Sequence, residues 1–368
     1  MRIELEALTT MPTASGHEDL VIDWIRDWVS MRDGLRLRED QAGNLLMSST
    51  RRRHRAPLVV VAHMDHPGFV IDVVAGRQVS ARFMGGVIAA YFAGARVEFF
   101  DTFGSAHRAR VSSFDAESGI ADLLLDRSAP LVPGDIGRWF FPARSLGARG
   151  DRWRAGACDD LAGVAAALVA IDAASADPKL AHMSLLLTRA EEVGFLGAIA
   201  ACKLGSVPAG ARVLSIETSR ALPGIPIGGG PVVRVGDAST IFDSALTNAI
   251  SIIARSADIP TQRKLMDGGS CEATAFGAYG FRAAGLALPL GNYHNMADID
   301  GVRSGSVPAR VAPEEISLSD FDGLVALVLD IARDLDQSGS TLVERLDRMY
   351  EETRSILDRP ATSGGPSD

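Results

Sequence analysis

Four apolar segments of this chain run into residues that can bind a cation or move a proton. Leu58–Ala62 leads directly into His63-Met64-Asp65, and Met183–Thr188 leads into Glu191-Glu192. Val213–Ile216 ends at Glu217, and Ala283–Leu290 is followed by Gly291-Asn292-Tyr293-His294. A further acid pair, Asp159-Asp160, stands between Gly156 and Gly163, where a loop enters a helix that begins near Leu161. Taken singly, none is distinctive. Acid pairs are commonly surface charge or partners for the positive end of a helix, and a lone histidine beside a strand is commonly structural. Together they are harder to place, because carboxylates crowded at one sheet edge repel one another and are costly to desolvate. One or two divalent cations would remove that cost. Two imidazoles with several carboxylates suit zinc or a similar ion, and the lack of cysteine pairs argues against a structural zinc site.

The elements that must carry these residues are legible from hydrophobic spacing. Runs without alternation, such as Leu58–Ala62, Met183–Thr188, Val213–Ile216 and Ala283–Leu290, suit strands covered on both faces. Helical patterns fall at Leu161–Ala174, Gly194–Lys203, Ile241–Ala257, Cys271–Tyr279, Ile316–Leu335 and Leu342–Leu357. The alternation predicts an α/β protein with a mostly parallel mixed sheet sandwiched by helices. In such sheets ligands bind beyond the carboxyl ends of the strands, which is where the His and carboxylate residues stand. Near the start, Ser15 and Glu18 read as an S-x-x-E capping box ahead of a helix with Leu20, Val21, Trp24, Ile25 and Trp28 at helical spacing. From about residue 70 to 150 the rhythm changes. Val70–Val74, Gln78–Phe83, Arg96–Phe100, Arg108–Phe114 and Gly119–Leu125 are short, strand-like and punctuated by Gly, Asp or Ser. This predicts a small all-β domain, residues 70–150, inserted into a discontinuous catalytic domain formed by 1–69 and 151–358, with 359–368 a Pro/Ser/Gly-rich flexible tail.

Composition narrows the field. The 368 residues carry 37 Lys plus Arg against 46 Asp plus Glu, a formal net charge of −9, which argues against a nucleic-acid partner. Cys158, Cys202 and Cys271 are odd in number, widely spaced and free of any C-x-x-C pattern, as expected of thiols in a reducing compartment. No segment reads as a signal peptide or a membrane span. The expectation is a cytoplasmic protein with no membrane partner.

Beyond these separate signals, longer stretches resemble a known family. They are Pro12-Thr13-Ala14-Ser15-Gly16-His17-Glu18, Asp40 with Gly43-Asn44-Leu45, and Ala62-His63-Met64-Asp65 with Gly68-Phe69-Val70. They continue in Ala157-Cys158-Asp159-Asp160-Leu161-Ala162-Gly163, Glu191-Glu192-Val193-Gly194, Gly230–Asp237 and Asn292-Tyr293-His294. In this order, across roughly residues 8 to 335, they resemble the glutamyl/deblocking aminopeptidases, the TET-type family of dinuclear zinc exopeptidases. The resemblance implies a zinc exopeptidase-like fold and a metal-dependent aminopeptidase acting on peptide substrates. It implies two divalent metal ions, Zn2+ first, with Co2+ or Mn2+ as alternatives. Carried over residue by residue, His63 is a ligand of one metal, Asp159 the bridge, Glu217 the remaining carboxylate of the first metal, and Glu192 and His294 ligands of the second. Asp65 is similar to the acid that orients the ligand histidine, and Glu191 resembles the general base. The resemblance also implies a homo-oligomer, a dodecamer among its forms, with the inserted β domain helping assembly.

The chain departs from the family pattern around these positions. Glu217 stands where Asp is usual, Leu161 where Arg is common, Ser270-Cys271-Glu272 where many relatives carry Thr-Asp, and Asn295 where Ser is usual. These changes bear on specificity more than on metal binding. Other functions remain open from sequence. The scaffold also serves deacylases that cut non-peptide amides. A silent homologue acting as a binding or assembly protein is disfavoured by retention of all five candidate ligands and Glu191. A glycosidase acid/base pair built on Glu191 would leave His63 and His294 without a role. His17 and His66 are read as orienting backbone or substrate, or simply as packing.

Overall fold

In the computed structural model, residues 3–51, 53–336 and 342–357 are described. The chain opens with helices α1 (Ile3–Thr9) and α2 (Asp19–Ser30), followed by a hairpin of β1 (Leu35–Glu39) and β2 (Leu45–Ser49) and then β3 (Leu58–His63). Every residue of β3 is buried, as its unbroken apolar pattern requires. The predicted capping box does not form. Helix α2 starts at Asp19 and Glu18 makes no side-chain cap bond. Its carboxylate instead accepts the N–H groups of Gly16 and Ala190 and pairs with Arg189.

The expected β region is a closed six-stranded barrel. Strands β4 (Gly68–Ala75), β5 (Gln78–Met84), β6 (Arg96–Phe100), β7 (Ala106–Asp115), β8 (Ile120–Leu125) and β9 (Ile136–Trp139) close in the order β4-β5-β8-β7-β6-β9. Alternating burial along β5, β8 and β9 points one face inward, where Phe69, Phe83, Phe92, Phe99 and Trp139 pack ring edge against ring face. Strand β9, absent from the expected set, supplies closure. Its Gly137 is required because a Cβ there would stand 2.6 Å from the Phe99 ring.

After the barrel come β10 (Gly147–Arg149), β11 (Arg152–Ala155), α3 (Leu161–Ala176), β12 (Met183–Thr188), α4 (Leu196–Leu204) and β13 (Arg212–Arg220). They are followed by β14 (Val232–Asp237), α5 (Ser244–Ser256), β15 (Gln262–Met266), α6 (Glu272–Ala278) and β16 (Arg282–Leu290). The last described elements are α7 (Ile299–Arg303), β17 (Glu314–Ser317), α8 (Leu318–Asp334) and α9 (Leu342–Thr353).

The central sheet has eight strands in the order β1-β2-β12-β3-β13-β16-β14-β15. Its centre is parallel, through β12, β3, β13 and β16, while β1, β2 and the β14/β16 pairing are antiparallel. The mixed α/β architecture is as expected, although the parallel character is confined to four of its seven pairings. Helices α1, α3, α5 and α8 share the core cluster on one face, and α4 and α6 lie in the cluster on the other. Helix α3 is apolar almost all round because it is enclosed by the sheet and by α1 and α8. A small second sheet, β10-β11-β17, joins the end of the barrel segment to the C-terminal part of the chain.

Four predicted helices, α4, α5, α6 and α8, begin one to three residues later than expected. Residues 314–317 are strand β17, and α8 starts at Leu318 with the Ser317 hydroxyl accepting the N–H of Asp320. Helix α5 starts at Ser244, capped by Asp243, whose carboxylate accepts the N–H of Leu246 at 2.7 Å. Among the described residues no helix is long and apolar enough to cross a membrane. No disulfide joins the cysteines, of which Cys158 and Cys271 are buried and Cys202 half-buried. The segment expected to form a flexible tail, 359–368, lies outside the described residues.

Candidate metal centre

Parallel register brings the strand exits level. His63, the last residue of β3, pairs with Thr188, the last residue of β12, so the acids that follow Thr188 arrive beside the histidine. Strand β13 does not stop at Ile216. It continues to Arg220, which makes Glu217 a residue within the strand. Asp159 comes from the turn ahead of α3, and His294 from the turn after β16.

These side chains converge. Nε2 of His63 lies 3.6 Å from Oδ1 of Asp159, 3.9 Å from Oε2 of Glu191 and 4.0 Å from Oε2 of Glu217. Nε2 of His294 lies 3.4 Å from Oδ2 of Asp159 and 3.1 Å from Oε1 of Glu192. Asp159 therefore offers one oxygen to each imidazole. Ligand atoms of His63, Asp159 and Glu217 fall within 4.8 Å of one another, as do those of Asp159, Glu192 and His294 and those of His63, Glu191 and Glu192. All five candidate ligands are thus brought together with Glu191.

The donor set fits divalent ions for a second reason. Asp159 Oδ1, Glu192 Oε1, Glu217 Oε1 and His294 Nε2 are buried and have no hydrogen-bond partner. Buried polar atoms are ordinarily paired, and unpaired atoms on four members of one histidine–carboxylate cluster are the kind that a bound cation would satisfy. Both histidines keep Nε2 for that cluster by engaging Nδ1 elsewhere. His63 Nδ1 donates to the carbonyl of Asp65 at 3.1 Å, and His294 Nδ1 to the carbonyl of Gly86 at 2.7 Å. Gly86 lies between β5 and β6, so the barrel segment contributes directly to the orientation of His294.

Asp65 does more than face His63. Its Oδ1 accepts the N–H of Glu191 at 2.9 Å and its Oδ2 the N–H of Glu192 at 3.1 Å, while Ser15 donates its hydroxyl to Oδ2 at 2.6 Å. One carboxylate thus places both acids of the β12 exit. The sequence pairing of Ser15 with Glu18 pointed to a helix cap; Ser15 instead belongs to the shell around the site. The loop that presents the acids departs from ordinary backbone, with φ of +52° at Ala190, and the His294 turn has +51° at His294 and +62° at Asn295. Non-glycine residues held in this region cost about 1–3 kcal/mol each and persist where the surroundings fix them.

The electrostatics report the same crowding. Burial pushes the Glu191 carboxyl well above the usual range, with Glu217 and Glu192 adding to the rise. Burial, with Asp159 and Glu272 nearby, pushes Glu217 up to about 8. Burial opposes the charged form of His63, yet Glu191, Asp159 and Asp65 together hold its pKa well above the ordinary value. For His294 the same opposition from burial is overcome by Glu192 and Asp159. Asp159 and Asp65 move down: burial resists, but the two imidazoles prevail at Asp159, and His63 with the Ser15 hydroxyl and the Glu191 N–H at Asp65. In every case the charge pattern is that of an anion-rich pocket seeking positive charge.

His63, Asp159, Glu191, Glu192 and Glu217 line a cavity of about 380 Å³. Its lining also includes Met296, Ile299 and Arg303. These belong to a flap, residues 296–311, closed at its base by the Met296–Val311 bridge and hydrogen bonds from Ala297 to Arg310 and from Ala312 to Asn295. Tyr91 of the barrel segment donates its hydroxyl to the carbonyl of Ala297 at 2.7 Å, which seats the flap on that segment. The flap has no strong periodicity and was not anticipated from sequence. Glu272, noted as a departure, lies fully buried at the start of α6, where burial pushes its carboxyl up to about 7.

A mixed α/β sheet whose strand ends present a histidine–carboxylate cluster defines a candidate metal-dependent enzyme. Residues 133–305 match the family model of the M42 glutamyl aminopeptidases. That stretch contains Asp159, Glu191, Glu192, Glu217 and His294, while His63 and Asp65 precede it. No curated protein matches the chain. Among solved structures, the chain resembles a dodecamer of PhTET1 at 20% identity, covering 90% of this chain and 98% of that one with a TM-score of 0.73. The TET1 peptidase of Pyrococcus horikoshii, which can assemble into a tetrahedron or a large octahedral shell, matches at 21% identity, 89% and 98% coverage and a TM-score of 0.73. An aminopeptidase from the archaeon Desulfurococcus kamchatkensis matches at 21% identity, 93% and 98% coverage and a TM-score of 0.69. At these identities the structural likeness establishes a shared fold.

Proposed function

We propose that this protein is a metal-dependent aminopeptidase that removes N-terminal residues from peptides. The observation that carries the reading is Asp159 standing between His63 and His294 with four ligand atoms buried and unpartnered. The family match over residues 133–305 supports a hydrolase of this kind. His63, Asp159 and Glu217 would hold one divalent ion, and Asp159, Glu192 and His294 a second. Zn2+ suits this mixture of imidazole and carboxylate, as do Co2+ and Mn2+. Ions held there would supply Lewis acidity toward a carbonyl and lower the pKa of water.

The remaining roles belong to the chain itself. Glu191 lines the cavity with its carboxyl facing His63, where it takes a proton from the attacking water and passes it to the leaving amine. Asp65 fixes the position of Glu191 through its backbone and orients His63. The enclosing flap limits water and shapes the space for the residue to be released. An N-terminal amine is the group best matched to an acidic cavity floor, which favours aminopeptidase action over deacylation of N-acyl substrates. Assembly into a homo-oligomer is proposed on the likeness to structures that form a dodecamer or larger shells.

The test is metal quantification on purified protein together with aminoacyl anilides, dipeptides and N-acyl amino acids, before and after chelation. Hydrolysis of substrates with a free amine, lost on chelation and restored by Zn2+, Co2+ or Mn2+, is expected. Hydrolysis confined to the N-acyl compounds would replace this reading with a deacylase, and protein that binds no divalent ion would remove it.

A further inference from the structure

Glu314 is fully buried and carries three backbone hydrogen bonds from two separate parts of the centre. Its Oε2 accepts the N–H of Cys158 at 2.7 Å and of Asp159 at 3.0 Å, and its Oε1 accepts the N–H of His294 at 2.8 Å. Asp159 and His294 are 135 residues apart in sequence, and no helix or strand contains both. The register that places Glu314 is set by β17 pairing with β11, where Glu314 stands opposite Ala155. A slip of one residue would present Glu315, which lies on the other face of the strand and pairs with Arg154 and Arg152.

A second set of bonds closes the same junction. His66 donates from Nδ1 to the carbonyl of Asp159 at 2.5 Å, and its Nε2 lies 3.2 Å from Oδ1 of Asn295. Asn295 in turn donates to the carbonyl of Gly156 at 3.0 Å. His294 and Asn295 are consecutive non-glycine residues with positive φ, a conformation that relaxes unless something holds it. Glu314 holds the first by its N–H, and Asn295 is tied by its own side chain.

We propose that Glu314 is a positioning residue that clamps the Asp159 loop to the His294 turn, and so builds the second cation site before any ion arrives. The inference rests on the proposed metal centre. Glu314 touches no ligand side-chain atom in these bonds. It fixes the backbone from which the shared oxygen of Asp159 and Nε2 of His294 project. The first site, which takes His63 and Glu217 from other strands, depends on the clamp only through Asp159. The two sites should therefore respond unequally when the clamp is weakened.

Glu314→Gln keeps the shape of the side chain but replaces one acceptor oxygen with a donor, which then faces a backbone N–H. The experiment titrates Zn2+ and Co2+ into metal-free wild type, Glu314→Gln and the control Glu315→Gln, reading stoichiometry and stepwise affinity, with the visible spectrum of Co2+ as a geometric signature. Loss of buried supporting partners typically weakens metal binding about 10–100-fold. The expected result is that loss on the second ion alone, with the first ion and the control near wild type. Two ions bound by Glu314→Gln with wild-type affinity, or both weakened equally, would overturn the proposal. Wild type that binds no ion would instead overturn the metal-centre reading.

Hydrogen exchange on metal-free wild type covers the case in which the variant does not fold. Peptides spanning 155–161 and 291–297 are expected to be protected at the N–H groups of Cys158, Asp159 and His294 without any ion. Free exchange at these positions, slowed only when Zn2+ is added, would show that the ion builds the site and Glu314 does not.

Discussion

The backbone N–H of Glu191 points at Oδ1 of Asp65, 2.9 Å away, so the acid that faces His63 also sets the position of the proposed base. Asp65→Asn removes one acceptor oxygen from a group that serves His63, Glu191, Glu192 and Ser15. Both turnover and metal affinity should fall, each by about 10–100-fold. Parallel measurements of kcat and Zn2+ affinity check this, and a loss confined to KM would contradict it.

Glu191→Gln should separate chemistry from binding. The variant is expected to retain its metal and lose about 10²–10⁴-fold in kcat, the usual worth of a positioned proton carrier. Asp159→Ala should do the reverse, releasing metal because it removes the oxygen pair that both imidazoles face. Metal analysis and kcat on the same preparations decide both. Near wild-type hydrolysis by Glu191→Gln would end its assignment as base.

The metal-free protein should lose stability as pH rises. Burial pushes Glu217 up to about 8 and Glu272 and Glu314 up to about 7, whereas an unfolded glutamate titrates near about 4.3. A carboxyl that binds its proton more tightly when folded adds stability that is lost as pH climbs through the folded value. His63 and His294, raised by neighbouring acids against the opposition of burial, act in the same direction. Asp159 and Asp65, which move down, oppose this only in strong acid. Chelated protein should therefore lose at least about 3 °C in Tm between about pH 5 and about pH 8, the shift that about 1 kcal/mol produces in a large domain. Zn2+ should restore it at the alkaline end, where protons no longer compete for the ligands. A Tm that stays flat or rises in the chelated protein would contradict the charge balance described above.

The flap should govern substrate fit and leave the metal alone. Ile299 packs with Tyr91 and Met296, lines the cavity and is not one of the candidate ligands. Ile299→Ala is expected to lower kcat/KM by roughly tenfold, as removal of a few methylenes from an apolar wall commonly does. Metal content should not change. Substrate panels with small and large N-terminal side chains, run beside metal analysis, provide the check.

The strands at the heart of the sheet could be read from the chain because burial on both faces leaves an unmistakable apolar run, as in Leu58–Ala62 and Met183–Thr188. The residues just past those runs could be read too, since the α/β pattern assigns them to one rim. Sequence alone thus determined the mixed α/β class, the presence of an inserted β unit and the chemistry of the candidate ligands. The short elements β9, β15 and β17 carry no legible signal because four or five residues with mixed burial show little period.

Tertiary structure decided the rest. Ser15 and Glu18 have the spacing of a helix cap, yet long-range partners in Asp65 and Arg189 claimed them. Glu314 sits in a stretch that reads as the approach to a helix, and only its pairing opposite Ala155 aims it at Asp159 and His294. Hydrophobic periodicity is a local property, and it records which face of an element is buried. A hydrogen bond between residues more than a hundred positions apart leaves no such record, so the clamps that hold the ligands in place appear only when the chain is folded.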